Sequence, residues 1–112
     1  MIQIVEVINS DRVDKRYYAI MNNGHKIHFG SKYGSAYIDD GDKTKRDKYI
    51  SRHINNPCQY NSIINLVVSP GLLVLHLMWR TTGMNENIKQ LNNLLKDKFE
   101  RGLYENTLDF DC

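Results

Sequence analysis

The run IQIVEVI at residues 2–8 is apolar and β-branched apart from Gln3 and Glu6, which predicts a strand buried on at least one face. After the turn-rich NSDRVDK comes RYYAIMNNGHKIHFG, residues 16–30, where two extended arms flank Asn22-Asn23-Gly24. Asn-Gly supplies the positive φ angles of a tight hairpin turn. In the second arm Ile27 and Phe29 alternate with Lys26 and His28, the pattern of a strand with one buried and one wet face. Gly30, Gly34 and the small residues between them predict a loop.

A helical half follows. Asp39 to Asp42 suit a helix N-terminus, and KTKRDKYISRHIN, residues 43–55, is rich in helix formers. Tyr49 and His53 are four apart, as are Ile50 and Ile54, which gives a narrow apolar stripe beside Lys45, Arg46, Lys48 and Arg52. NNPCQYNS is expected to break the chain. Ser69 as a cap with Pro70 at the first helical position predicts a short, nearly all-apolar helix over 70–81, the central buried element, ended by Gly83. Asn85 is the expected cap of a last helix over 86–101, with Ile88, Leu91, Leu94 or Leu95, and Phe99 on one face and Gly102 as its stop. The fold class is therefore α+β, with an N-terminal strand and a β-hairpin packed on about three helices. The division expected is a single domain over 1–102 and an acidic tail over 103–112.

Length and composition leave this picture in place. A chain of 112 residues builds one core, and 41% hydrophobic with 25% charged residues is ordinary for a globular protein. Net charge is only +2, but its distribution is uneven. Residues 11–53 hold ten Lys/Arg against six Asp, whereas the last thirteen residues carry four acids against one arginine. One face should be basic and the tail acidic, and the tail could lie on that face or dock on a partner. Cys58 and Cys112 form no CxxC pair and read as reduced thiols of an intracellular compartment. The N-terminus lacks the basic start and apolar core of an export signal. Residues 62–79 are the one candidate membrane span, but Asn65, Ser69, Pro70, Gly71 and His76 interrupt them, so a buried core segment is expected instead.

The candidate chemistry is modest. His25 and His28 would project from opposite faces of a strand, and His53 with Cys58 adds no metal-ligand spacing, so no metal or cofactor is expected. His28, Asp39, Asp40, Asp42 and His53 are residue types that a metal-dependent nuclease uses, yet carboxylates ahead of a basic helix are explained by capping. Glycine-rich phosphate loops and nucleophile elbows are absent from the sequence, and no catalytic residue is assigned. Lys43, Lys45, Arg46, Lys48 and Arg52 could contact phosphates or an acidic partner, with Tyr33, Tyr37 and Tyr49 as stacking rings. The four nearby aspartates, Asp39, Asp40, Asp42 and Asp47, would keep any DNA binding weak.

The ordered combination of KIHFG, a Tyr-x-x-Arg-His helix and a Trp-containing apolar helix resembles a family of small proteins of nucleocytoplasmic large DNA viruses. Lys26, His28, Phe29 and Gly30 match its first part, Arg46, Tyr49, Arg52 and His53 its second, and Trp79 its third. The likeness covers residues 16–97. It departs where the family often has a tryptophan-rich segment, since GLLVLHLMW carries Trp79 alone. The resemblance implies a viral, virion-associated protein, present in the host cytoplasm during assembly. The expectation is then a non-enzymatic structural protein, a minor capsid or internal virion component acting through other virion proteins. The alternative is a DNA-associated protein holding phosphates with helix 43–55. Phe29, Tyr49 and His53 are expected to join a core between hairpin and helix, with His53 bonded at the seam and Arg46 and Arg52 paired to aspartates.

Overall fold

Three strands, β1 (Ile4–Asn9), β2 (Lys15–Met21) and β3 (Lys26–Ser31), form an antiparallel sheet in the order β1-β2-β3. The computed structural model describes residues 1–101, except the side chains of Cys58 and Gln59. The tail 103–112, the stop at Gly102 and the two thiols lie outside the described residues. Alternation along β2 and β3 turns Ala19, Met21 and Phe29 inward, joined by the half-buried Tyr17 and Ile27. Between β2 and β3 the chain turns through three residues. Gly24 N–H donates to Met21 C=O and Met21 N–H to His25 C=O, each at 2.9 Å. Only Gly24 takes a positive φ, +88°, and Asn23 does not, so the turn is the three-residue kind with one left-handed position. In β1 the register slips between Ile4 and Glu6, which makes Val5 an extra, exposed residue and returns Val7 to the inner face opposite Ala19.

Five helices complete an α+β domain: α1 (Tyr37–Asp40), α2 (Lys43–Ile54), α3 (Pro57–Ile64), α4 (Pro70–Met78) and α5 (Met84–Glu100). Asp42 caps α2 by accepting from Lys45 N–H at 3.1 Å, and Ser69 caps α4 by accepting from Leu72 N–H at 3.2 Å. With Leu72, Leu73, Leu77 and Met78 buried, α4 is the central element, lying against both β3 and α5. It ends at Met78 rather than at residue 81. Pro70 and Gly71 separate it from α3, and no helix among the described residues is long and apolar enough to cross a membrane.

Three helical expectations need correction. The NNPCQYNS segment does not break the chain, because Pro57 occupies the first position of α3, where its missing N–H costs nothing. The last helix starts at Met84 with Gly83 as its cap, not at Asn85. Asn87, fully buried one turn in, instead donates to the C=O groups of Leu77 and Thr81 at 3.0 Å each, joining α5 to the end of α4. Finally, Phe99 is 56% exposed while Lys98 is 7% exposed. The inner face of α5 runs through Leu91, Leu95 and Lys98, whose ammonium reaches Leu66 C=O at 3.5 Å.

A basic and aromatic cleft as the candidate functional site

An open cleft of about 490 Å³ lies where the start of β2, the end of β3 and the loop after it face α2 and α4. Gly30 makes the close approach possible. Its φ is +79°, and a Cβ there would stand 2.7 Å from Met78 Sδ. Pro70, Gly71 and Val74 of α4 line one side, and Lys45, Tyr49, Arg52 and His53 of α2 line another.

Rings stack along the α2 wall. Tyr49 lies on Trp79 with centroids 4.0 Å apart and planes 7° from parallel, and on His53 at 3.9 Å and 26°. Arg52 stands over Tyr49 with its guanidinium carbon 5.9 Å from the ring centre. Burial pushes the Tyr49 phenol up to about 12 against the opposing pull of Arg52, so that hydroxyl keeps its proton at physiological pH.

Charge around the cleft is partly cancelled from within. Arg16 clamps Asp39 through both terminal guanidinium nitrogens, Nη1 and Nη2, the Nη1 bond at 2.6 Å, and Asp39 also accepts from Ala36 N–H at 2.8 Å. The Arg16 bond, with the Ala36 amide, holds the Asp39 carboxyl down at about 2. Lys45 donates to Ser35 Oγ at 2.6 Å and to Asp40 at 3.2 Å, and Ser35 also donates to Asp40 at 3.0 Å. Asp42 N–H is the largest influence lowering the Asp40 carboxyl, followed by Ser35. Thus Asp39, Asp40 and Asp42 serve as caps and ion-pair partners. No group of three or more His, Cys, Asp or Glu side chains is placed to hold a metal among the described residues. Lys15 on the rim has no carboxylate within salt-bridge reach among those residues, nor does Arg52.

The basic residues of α2 do not form one stripe. At roughly 100° per residue, Lys45, Lys48 and Arg52 share an arc of about 60°, while Lys43 and Arg46 lie round the other side. The expected aspartate partners are not those of Arg46 and Arg52. Arg46 lies over Tyr37 with 5.1 Å to the ring centre, its Nε buried without a hydrogen-bond partner among the described residues, and Arg52 lies over Tyr49. His53 is not bonded across the seam either. Its Nδ1–H donates to Tyr49 C=O at 2.9 Å inside its own helix, sharing that carbonyl with the helix's own i−4 bond.

The motif residues divide between two surfaces. Gly30, Tyr49, Arg52, His53 and Trp79 meet at the cleft, and Phe29 lies beneath it in the core, 5.6 Å from the Tyr17 ring. Lys26 and His28 are on the far face of the sheet. There His28 packs on Tyr18 at 5.2 Å with its Nδ1 2.7 Å from Ser10 Oγ, and Lys26 lies over Tyr18 at 5.5 Å. Lys15 and Arg16 are the cleft residues that sequence reasoning passed over. The adjacent cations opening a strand were a signal only for a reader who already knew that the strand starts beside α2.

Residues 5–53 match a family of unknown function (DUF5754). That similarity spans less than half of the chain, from β1 to His53, and stops before the α4 wall with Trp79. No curated protein and no solved structure matches.

Proposed function

We propose that this chain is a non-enzymatic structural protein of a large DNA virus, a minor capsid or internal virion component, which grips an acidic segment of another virion protein in the cleft. The viral setting rests on the K-x-H-F-G, Tyr-x-x-Arg-His and Trp79 pattern. The mode of action rests on one observation: an apolar, ring-lined wall of Tyr49 and Trp79 stands beside Lys15 and Arg52, two cations without carboxylate partners among the described residues. Interface anchors are commonly an aromatic ring with an arginine, flanked by charge that selects the partner. A segment that sets carboxylates beside an apolar side chain would satisfy both halves of the cleft. Its place of action would be the virion, with assembly in the host cytoplasm.

A second reading, DNA held by Lys43, Lys45, Arg46, Lys48 and Arg52, draws on Tyr33, which is 75% exposed on the cleft rim and free to stack on a base. The internal pairing of Arg16 and Lys45 with aspartates weighs against it, since a phosphate row would meet those carboxylates too.

Particles separated into shell and nucleoprotein core, then analysed by mass spectrometry after nuclease and salt washes, test both. Retention after nuclease supports the protein-contact reading. Release by nuclease or modest salt supports DNA, and absence from particles overturns both.

A further inference from the structure

We infer that the chain's own acidic segment, LYENTLDFDC at residues 103–112, occupies the cleft in the free protein and yields it to the partner. This rests on the reading of the cleft as a site for acidic segments, and adds the first occupant and a competition.

Chemistry and reach carry the inference. Glu105, Asp109 and Asp111 complement Lys15 and Arg52, while Leu108 and Phe110 interleave with those acids and suit the Tyr49 and Trp79 wall. Near the end of α5, Lys98 Nζ is 3.5 Å from Leu66 C=O. Leu66 precedes Pro70, on the cleft lining, by four residues, a path of at most about 14 Å. With the last turn of α5 and the Lys98 side chain included, Arg101 is at most about 30 Å from Pro70, and the residues from Arg101 to Cys112 can extend to roughly 38 Å, so the end of the segment reaches the cleft without moving α5. A short tether also supplies an effective concentration on the order of millimolar, so even a weak site would be substantially filled.

Two experiments on the full chain test this. In the first, amide and side-chain resonances are compared between the natural chain and the triple variant Glu105→Gln, Asp109→Asn, Asp111→Asn. Shifts are expected at the Trp79 indole, the His53 ring and the Ser35 amide, and raising salt should move the natural chain toward the variant. In the second, synthetic peptide 103–112 is titrated into both, and the variant should bind it about 3- to 10-fold more tightly because its own segment no longer competes. Coincident spectra, with the peptide still binding the variant's cleft and losing affinity on Lys15→Ala or Arg52→Ala, would overturn the intramolecular occupant and leave the cleft reading standing. Peptide binding to neither chain would overturn both. Spectra that change on dilution would overturn the intramolecular form in favour of exchange between copies.

Discussion

Trp79 lies flat on Tyr49 and ties the end of α4 to the middle of α2. If the stacked ring is what matters, Tyr49→Phe should change stability by no more than about 0.5 kcal/mol. Tyr49→Ala should cost about 2–4 kcal/mol, less than a fully buried aromatic because Tyr49 is half-buried. Urea unfolding followed by the emission of the chain's one tryptophan reads both. Equal losses for Phe and Ala would place the effect in the hydroxyl.

His76, half-buried on α4, is held down to about 4 from 6.5 by burial and then by Arg80, whose guanidinium is 3.3 Å from its Nδ1. The unfolded chain therefore binds the extra proton first as pH falls. The stability contributed by neutral His76 is fully present above pH 6.5 and declines as pH drops toward 4. Unfolding measured across that window should show a pH slope that His76→Leu flattens. Asp39, lowered from 3.8 to about 2, contributes a separate loss below that window.

Gly30 and Gly34 both take positive φ, yet only Gly30 faces a close neighbour. Gly30→Ala combines the left-handed strain with a clash against Met78 and should cost about 2–4 kcal/mol. Gly34→Ala meets nothing within 4 Å and should cost about 1–2 kcal/mol from backbone strain alone. Denaturation midpoints of the two variants, measured side by side, check the order.

Asn92 on α5 pairs with the outer edge of β1 as a neighbouring strand would. Its Oδ1 accepts from Ile4 N–H at 2.8 Å and its Nδ2 donates to Ile4 C=O at 2.9 Å. Asn92→Ala should cost about 1–3 kcal/mol. Asn92→Asp, nearly the same shape, should also destabilise because a carboxylate cannot donate to that carbonyl. Faster amide exchange at Ile4 would accompany the alanine change.

Much of the fold was legible wherever one local cue had one meaning. Alternation and Gly24 marked the hairpin, Asp42 the start of α2, and Ser69-Pro70 the start of α4. The misses came where a cue had two meanings. Proline at residue 57 opens a helix as readily as it ends one, and the last turn of α5 offered Phe99 and Lys98 as rivals for burial. Position won over residue type there: Lys98 points back over the core, and Leu66 C=O accepts its ammonium. The candidate site was legible along α2, at Trp79, and at Gly30 and Tyr33. Lys15 and Arg16 reach it through the sheet register, with Lys15 opposite Ser31, a relationship that no local pattern states. The same register sent Lys26 and His28 away from it, although they adjoin Phe29 and Gly30 in sequence.

In the role proposed above, the cleft receives an acidic segment of a virion protein. The most direct test is a photo-crosslinking residue at Tyr33, exposed on the rim, carried into assembled particles and followed by mass spectrometry of the adduct. The expected result is a crosslink to a protein segment rich in Asp or Glu beside an apolar residue, lost when Lys15 and Arg52 are both changed to alanine. A crosslink to nucleic acid, or an adduct indifferent to those two substitutions, would contradict it.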